Sequence, residues 1–439
     1  MIEEELQRKI EDFRDLGIPA YVPRTGTIHL VDGMVSTIVG ARRAGKSFRA
    51  LQVVDDLLGT GFVKSVNQVC VVDFDNPILS VIEAKDLKLI ESTLLRMTEG
   101  VDLKTPLVFI LDEIHKIEGW EQYVIDLSRN PRWKVIVTGS SSKLLRDQVA
   151  TELRGKAVSS TVYPLSFSEF LKFRDFEDKR ASTAGQAKVR RLFDEFMKWG
   201  GYPAVANLEE YSRESLLRQY FDTMILRDII QRYNVSKPHQ CTQLCNYLLS
   251  GIGKPHTLQS AYKFLKESGY ATSRDAVREY VGWAEDSWLI FTVPIHSHSH
   301  KEQERNYRKI YCVDWALALR NSLVWDGSYS RAFENIVFLE LFKIYPRVRY
   351  YLTRKKREEV DFLVSDSRGH VVLAVQVCMD ITAKDTLDRE LRPLVAAAKY
   401  FGIKENLIIT MNQEEKLTRE GITVRVVPAW KWLLELESK

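Results

Sequence analysis

The stretch Gly40-Ala41-Arg42-Arg43-Ala44-Gly45-Lys46-Ser47 is a complete G-x-x-x-x-G-K-S loop, and it constrains this chain more than any other feature. An apolar run, Val35 to Val39, precedes it, and Phe48 to Leu58 follows with Leu51, Val54, Leu57 and Leu58 at roughly helical spacing. The loop thus sits between a strand and a helix, the context in which it works. Its glycines let backbone N–H groups wrap a polyphosphate, and the helix N-terminus adds a favourable dipole. Lys46 reaches the outer phosphates and Ser47 ligates magnesium. All eight residues are candidate nucleotide contacts, and the domain around them must be α/β.

A second motif agrees. Leu107 to Leu111 reads as a buried strand and ends on Asp112-Glu113. Beside such a loop, an acid at a strand end holds magnesium and the next glutamate polarises the attacking water, so Asp112 takes the first role and Glu113 the second. Val69 to Asp73 reads as another strand, Asp86 to Met97 and Trp120 to Leu127 as helices, and Lys134 to Thr138 as a further strand. This alternation predicts a doubly wound parallel sheet with ligands at the carboxyl ends of its strands. There the hydroxyls of Thr138 and Ser140 either sense the terminal phosphate or cap a helix before Lys143-Leu144-Leu145. No Asn-Lys-x-Asp pattern of a guanine-specific site is present, so the expected cofactors are ATP and Mg2+.

At 439 residues the chain exceeds one typical core and predicts two or three domains. A composition 45% hydrophobic and 28% charged is that of a soluble globular protein. No apolar run approaches the ~18 residues a membrane span requires. With an acidic N-terminus and five cysteines in no paired framework, the expectation is a cytoplasmic protein without a membrane partner. Cys241 and Cys245, one helical turn apart, read as core residues, and His296, His298 and His300 as an exposed loop rather than a zinc site. A net charge of +4 restricts any nucleic-acid surface to a local patch.

Elsewhere, Ile2, Leu6, Ile10, Phe13 and Leu16 mark an amphipathic N-terminal helix. Leu165 to Gln231 is mostly helical in pattern, broken at Gly200-Gly201-Tyr202-Pro203. Three helices and a strand are expected from 240 to 295, the last two helices forming a helix-turn-helix with a wing beyond. Arg274 and Arg278 then face outward on the recognition helix, toward DNA or a protein.

Taken together these motifs resemble the AAA-type P-loop ATPases. More narrowly, the chain is similar to a prokaryotic family, widespread in archaea, that joins such a domain to a winged-helix segment and a C-terminal domain related to PD-(D/E)XK nucleases. The likeness runs through Leu111-Asp112-Glu113-Ile114, Thr138-Gly139-Ser140, Pro164 to Phe170, Gly200 to Pro203 and Arg227-Asp228. It implies an ATPase core over 1–164, a helical lid over 165–232, a winged-helix segment over 233–304 and a restriction-endonuclease-like α/β domain over 305–439 that opens with the strand Lys309 to Asp314. In AAA-type enzymes a basic residue from a neighbouring subunit or domain acts on the transferring phosphate, and Arg154 or Lys156 takes that place here. In the nuclease-like domain Glu334 and Asp361 match the acidic ligands, but Gln376 and Cys378 stand where a working site has glutamate and lysine. This implies weak magnesium binding and little or no cleavage, with Lys355 the nearest replacement cation. Arg354, Lys355, Lys356 and Arg357, close to Tyr350 and Tyr351, suit phosphate contact and base stacking.

The leading expectation is an ATPase that couples nucleotide to DNA binding. The alternatives are an ATP-gated switch or scaffold for a protein partner or a second copy, and an ATP-regulated nuclease.

Overall fold

The computed structural model describes residues 2–98, 104–140, 153, 155–176, 182–297, 299, 303, 307–323, 329–353 and 357–436. They form two units: Met1–Pro164 with Asp286–Trp288, and Leu165–Glu285 with Leu289–Lys439.

In the first unit, α1 (Ile2–Leu16) buries Leu6 and Ile10 and packs on α3 (Lys88–Met97) and β2 (Val69–Asp73). The other strands are β1 (Val35–Val39), β3 (Leu107–Asp112), β4 (Trp133–Gly139) and β5 (Ala157–Thr161). They run in the order β2-β3-β4-β1-β5 with every neighbouring pair parallel. A parallel strand covered on both faces has to be apolar or internally satisfied along its length. β1 meets this with β-branched residues and with Ser36 and Thr37, whose hydroxyls donate to the His29 carbonyl and to Ser159 at 2.7 Å each. Helices α2 (Lys46–Gly59) and α4 (Trp120–Ser128) complete the layers. Because β4 lies between β1 and β3, the glycine loop, the acidic pair and Thr138 emerge at three adjacent strand ends.

The second unit begins with helices α5 (Phe167–Phe173), α6 (Thr183–Trp199), α7 (Pro203–Ala206) and α8 (Glu210–Thr223), the last continuing as a π-helix over Met224–Gln231. Ser166 and Glu169 form a capping box at the start of α5. Phe167, Phe170, Phe193 and Phe196 pack together behind it. At the predicted break, Gly200 has φ 78° and leaves room for the Asp314 carboxylate, whose Oδ1 would lie 2.2 Å from a Cβ there. Gly201 N–H donates to Asp314 at 2.7 Å.

Next come α9 (Pro238–Ser250), β6 (Pro255–His256), α10 (Leu258–Glu267), α11 (Arg274–Asp286), β7 (Ile290–Val293) and β8 (Arg308–Cys312). The three strands form an antiparallel sheet in the order β6-β8-β7. This corrects one expectation: the strand at Lys309 does not open the C-terminal domain but closes the sheet of the preceding helices. Cys241 and Cys245 are buried in α9. His296 is half-buried rather than exposed, its ring edge-on to Phe401 at 5.0 Å, while His298 and His300 lie outside the described residues.

After α12 (Trp315–Asn321), helix α13 (Ser330–Ile344) leads into β9 (Arg347–Leu352), β10 (Glu359–Ser365) and β11 (Val371–Val377), an antiparallel run. Helix α14 (Lys384–Phe401) then returns the chain to β12 (Glu405–Thr410), parallel to β11. Strands β13 (Glu415–Arg419) and β14 (Ile422–Pro428) and helix α15 (Ala429–Leu436) finish a six-stranded sheet ordered β13-β14-β12-β11-β10-β9. Among the described residues no helix is long and apolar enough to cross a membrane.

Candidate nucleotide-binding site

The loop after β1 is shaped by two glycines. Gly40 has φ 148°, and a Cβ there would lie 2.0 Å from the Val162 carbonyl oxygen of the segment leaving β5. Gly45 has φ 101° and hands the chain to the first turn of α2, which no side chain caps. The N–H groups of that turn are left for an anion. Lys46 is 5% exposed, and its ammonium donates to the carbonyls of Gly40 (3.3 Å) and Ala41 (3.2 Å), with Glu113 Oε1 at 3.6 Å. Ala41 and Ala44 are buried, Arg42 half-buried and Arg43 exposed at φ 67°.

The acids meet this loop. Ser47 donates to Asp112 Oδ2 at 2.6 Å, so two hard oxygen donors for one cation already touch. Thr138, at the end of β4, donates to the other Asp112 oxygen and accepts the Glu113 N–H at 3.0 Å. Its hydroxyl therefore fixes both acids. The helix-cap alternative falls on residues 141–150, outside those described. Ser140 is buried just past the strand. Glu113 holds the left-handed conformation, φ 55° and ψ 33°, which costs a non-glycine residue roughly 1–2 kcal/mol and turns the chain sharply at the site.

The donor set fits a magnesium nucleotide. Hydroxyl, carboxylate and ammonium converge at a helix N-terminus, and Glu113 Oε2 is buried without a hydrogen bond among the described residues.

Three contributors carry no sequence signal of their own. Arg24, in the irregular segment before β1, donates to the Ala44 and Tyr163 carbonyls at 2.8 Å each and so staples the loop from outside. Asp73 ends β2 opposite Asp112. Burial first, and then the Asp112 charge, pushes its carboxyl above the usual aspartate range. His115 lies with Nδ1 3.4 Å from Glu113 Oε2. Of the two candidates for a completing cation, Arg154 lies outside the described residues. Lys156 is exposed at the amino end of β5, beside Val35 and thus at the opposite end of the sheet from the loop, so it does not serve the site of its own unit.

In the second unit, Glu334, Asp361 and Gln376 do converge, but a different cation holds them. Lys309 of β8, 1% exposed, places its ammonium 2.8 Å from Glu334, 3.4 Å from Asp361 and 2.6 Å from Glu359. Tyr311 donates to Glu334 at 2.7 Å. Burial alone would lower the lysine, but the surrounding carboxylates outweigh it and hold it well above its usual value. Asp361 sits at a β-bulge and accepts the Val377 N–H at 2.9 Å, and burial raises its carboxyl. Gln376 accepts the Asp361 N–H and donates to Glu390, while Cys378 donates to the Asp380 carbonyl. The ammonium thus lies among the carboxylates and brings to them, from β8, a cation that Cys378 cannot supply. Among the described residues no group of three His, Cys, Asp or Glu is arranged for a metal. The two expected acids, Glu334 and Asp361, thus lie together around Lys309, and Lys355 lies outside the described residues.

Of the expected DNA contacts, Arg274 and Arg278 are exposed on α11, Arg278 paired with Asp275 at 3.1 Å. Arg357 is exposed, and Arg354, Lys355 and Lys356 lie outside the described residues. Tyr350 and Tyr351 are buried at 2% and 7% exposure, which removes them as stacking platforms.

Residues 32–171 match a family model described as an AAA domain. Residues 190–324 and 329–432 match two described as domains of unknown function, DUF8612 and DUF4143. Uncharacterized protein MJ1544 of Methanocaldococcus jannaschii is 29% identical over 420 residues, covering 93% of this chain and 90% of that protein. An uncharacterized protein of Haemophilus influenzae is 27% identical over 405 residues, covering 90% and 94%. Among solved structures, the Walker-type ATPase PABY2304 of Pyrococcus abyssi matches at 13% identity and TM-score 0.43, over 72% of this chain and 95% of that one. The Aeropyrum pernix ORC1 protein in complex with DNA matches at 12% identity and TM-score 0.27, over 73% and 92%. The match of residues 32–171 to an AAA domain, together with the parallel sheet and the loop after β1, gives the first unit an AAA-type P-loop fold.

Proposed function

We propose that this protein binds ATP with magnesium at the carboxyl end of β1, hydrolyses it, and couples the cycle to DNA held by the second unit. The observation that carries the reading is the 2.6 Å contact of Ser47 with Asp112 beside the buried Lys46–Glu113 pair. Ser47 and Asp112 are the residues that would hold the metal, which neutralises charge on the phosphates when bound. Lys46 leaves the loop carbonyls for the more strongly charged phosphate oxygens. Glu113, held at the turn by Thr138, orients and polarises the attacking water.

The order helix, strand, helix, helix, strand, strand from α9 to β8, with its three-stranded sheet, supports a winged-helix reading, and the exposed Arg274 and Arg278 support DNA. The order helix, three antiparallel strands, helix, parallel strand from α13 to β12 supports a nuclease-like fold. Gln376, neutral where a working site has a charged ligand, argues that this fold binds rather than cuts. A protein partner is the second reading, because the burial of Tyr350 and Tyr351 takes away one support for DNA.

Phosphate release is the test. Magnesium-dependent ATP turnover that rises with single-stranded, duplex or branched DNA is expected. Lys46→Ala should lose nucleotide binding, whereas Glu113→Gln should keep binding and lose most of its turnover, because Lys46 acts in the ground state and Glu113 on the water. Normal turnover by Glu113→Gln removes the assigned role. Turnover indifferent to every DNA favours the protein-partner reading.

A further inference from the structure

We propose that His115 is a positioning residue for Glu113, an inference that rests on the ATPase reading above. The left-handed turn at Glu113 sends the chain into a 3-10 turn, Ile114–Lys116, which brings the His115 ring back onto the carboxylate two residues before it. The carboxylate is then approached on both sides without a hydrogen bond: Oε1 lies 3.6 Å from the Lys46 ammonium, and Oε2 lies 3.4 Å from His115 Nδ1. Glu113 and His115 side chains are 13% and 18% exposed, so water competes little for either contact.

The two contacts differ in what nucleotide does to them. Lys46 belongs to the phosphate loop, and a bound polyphosphate draws its ammonium away from Glu113 toward more strongly charged oxygens. Glu113 Oε1 then loses its partner at the moment the carboxylate must face a water molecule. His115 is not part of the loop and has no phosphate to follow. A small turn of the ring together with a slight contraction makes this 3.4 Å approach a hydrogen bond from Nδ1–H to Oε2, which leaves Oε1 for the water. The role requires only a donor at that point, so glutamine substitutes for histidine and alanine or leucine does not. A glutamate freed of both contacts spreads over its rotamers, and the fraction poised toward water falls.

The test compares wild type with His115→Ala and His115→Gln by ATP affinity, kcat and thermal unfolding. His115→Ala should lower kcat about tenfold, as expected when one positioning hydrogen bond is removed, with ATP affinity within about twofold of wild type. His115→Gln should recover most of the rate. In a Glu113→Gln background the alanine change should lower the rate no further, because a residue that acts through Glu113 has nothing left to position. If the alanine variant fails to fold, His115→Leu keeps the volume and carries the same expectation. Unchanged kcat in the alanine variant, equal loss in the glutamine variant, or a loss that adds to that of Glu113→Gln overturns the proposal. A wild type with no turnover overturns the ATPase reading and this role together, whereas a turning-over wild type with an indifferent His115 overturns only this role.

Discussion

At the scale of the residue, Lys309 shows how one buried charge decides the character of a site. Glu334, Glu359 and Asp361 surround a single ammonium that is 1% exposed, so the cluster is held by charge the chain itself supplies. Removing one partner of a buried ion pair leaves uncompensated charge, typically worth about 3–5 kcal/mol. Lys309→Met should therefore destabilise the full chain by about that amount in urea unfolding. Neutralising the acids in the same background, with Glu334→Gln and Asp361→Asn, should restore part of it. A Lys309→Met variant as stable as wild type would show that the acids are satisfied by something else.

At the scale of the element, the phosphate loop depends on β5 as much as on its own glycines. Gly40 combines φ 148° with a carbonyl 2.0 Å from where a Cβ would stand, and neither the backbone of β1 nor that of the segment after β5 can yield without breaking a strand pairing. Gly40→Ala should weaken nucleotide affinity at least about tenfold while the rest of the unit stays folded by circular dichroism. A retained affinity would mean that the loop closes by another path. The junction at Gly200 offers a pH test. Asp314 caps α12 through the Ala316 N–H at 2.9 Å and accepts Gly201 N–H. Burial raises its carboxyl from the ordinary 3.8 to about 6, against the pull of those N–H groups. The folded state thus binds this proton more tightly than the unfolded state. Its contribution to stability is complete below about pH 4 and is lost as pH rises through about 6, a change of roughly 3 kcal/mol. Asp314→Asn cannot ionise, and it gives up one acceptor. It should start from lower stability and lack that slope between about pH 4 and 6 in denaturant titrations, while an unchanged slope would assign the titration elsewhere.

For the whole molecule, the proposed DNA binding and the expected lack of cleavage can each be tested. Replacing Arg274 and Arg278 in one variant, and Arg354, Lys355, Lys356 and Arg357 in another, separates α11 from the basic run after β9. Every cation that no longer meets a phosphate should lower the log-log salt slope on duplex DNA by roughly 0.9. The variant that flattens the slope locates the DNA surface, and two unchanged slopes place it on neither element. Linear, circular and branched DNA should stay intact in magnesium with or without ATP, because Gln376 and Cys378 stand where a working site has glutamate and lysine. Cleavage by wild type that disappears in Asp361→Ala would reinstate the nuclease reading.

What the sequence by itself determined is local. The P-loop, the acidic pair and the strand–helix alternation are contiguous stretches whose residue types have one conformational solution each, and their chemistry follows from that solution. Glu334 and Asp361 stand out only through the resemblance, since no local rule singles them out. The remaining features depend on atoms distant in the chain. Lys309 read as an ordinary strand residue until β8 joined the sheet of the preceding helices and turned it toward α13 and β10. Tyr350 and Tyr351 looked like a stacking surface beside basic residues until packing buried them. Arg24 and His115 belong to no motif, because a staple across a loop and a grip on a carboxylate are set by where the backbone turns rather than by spacing along it.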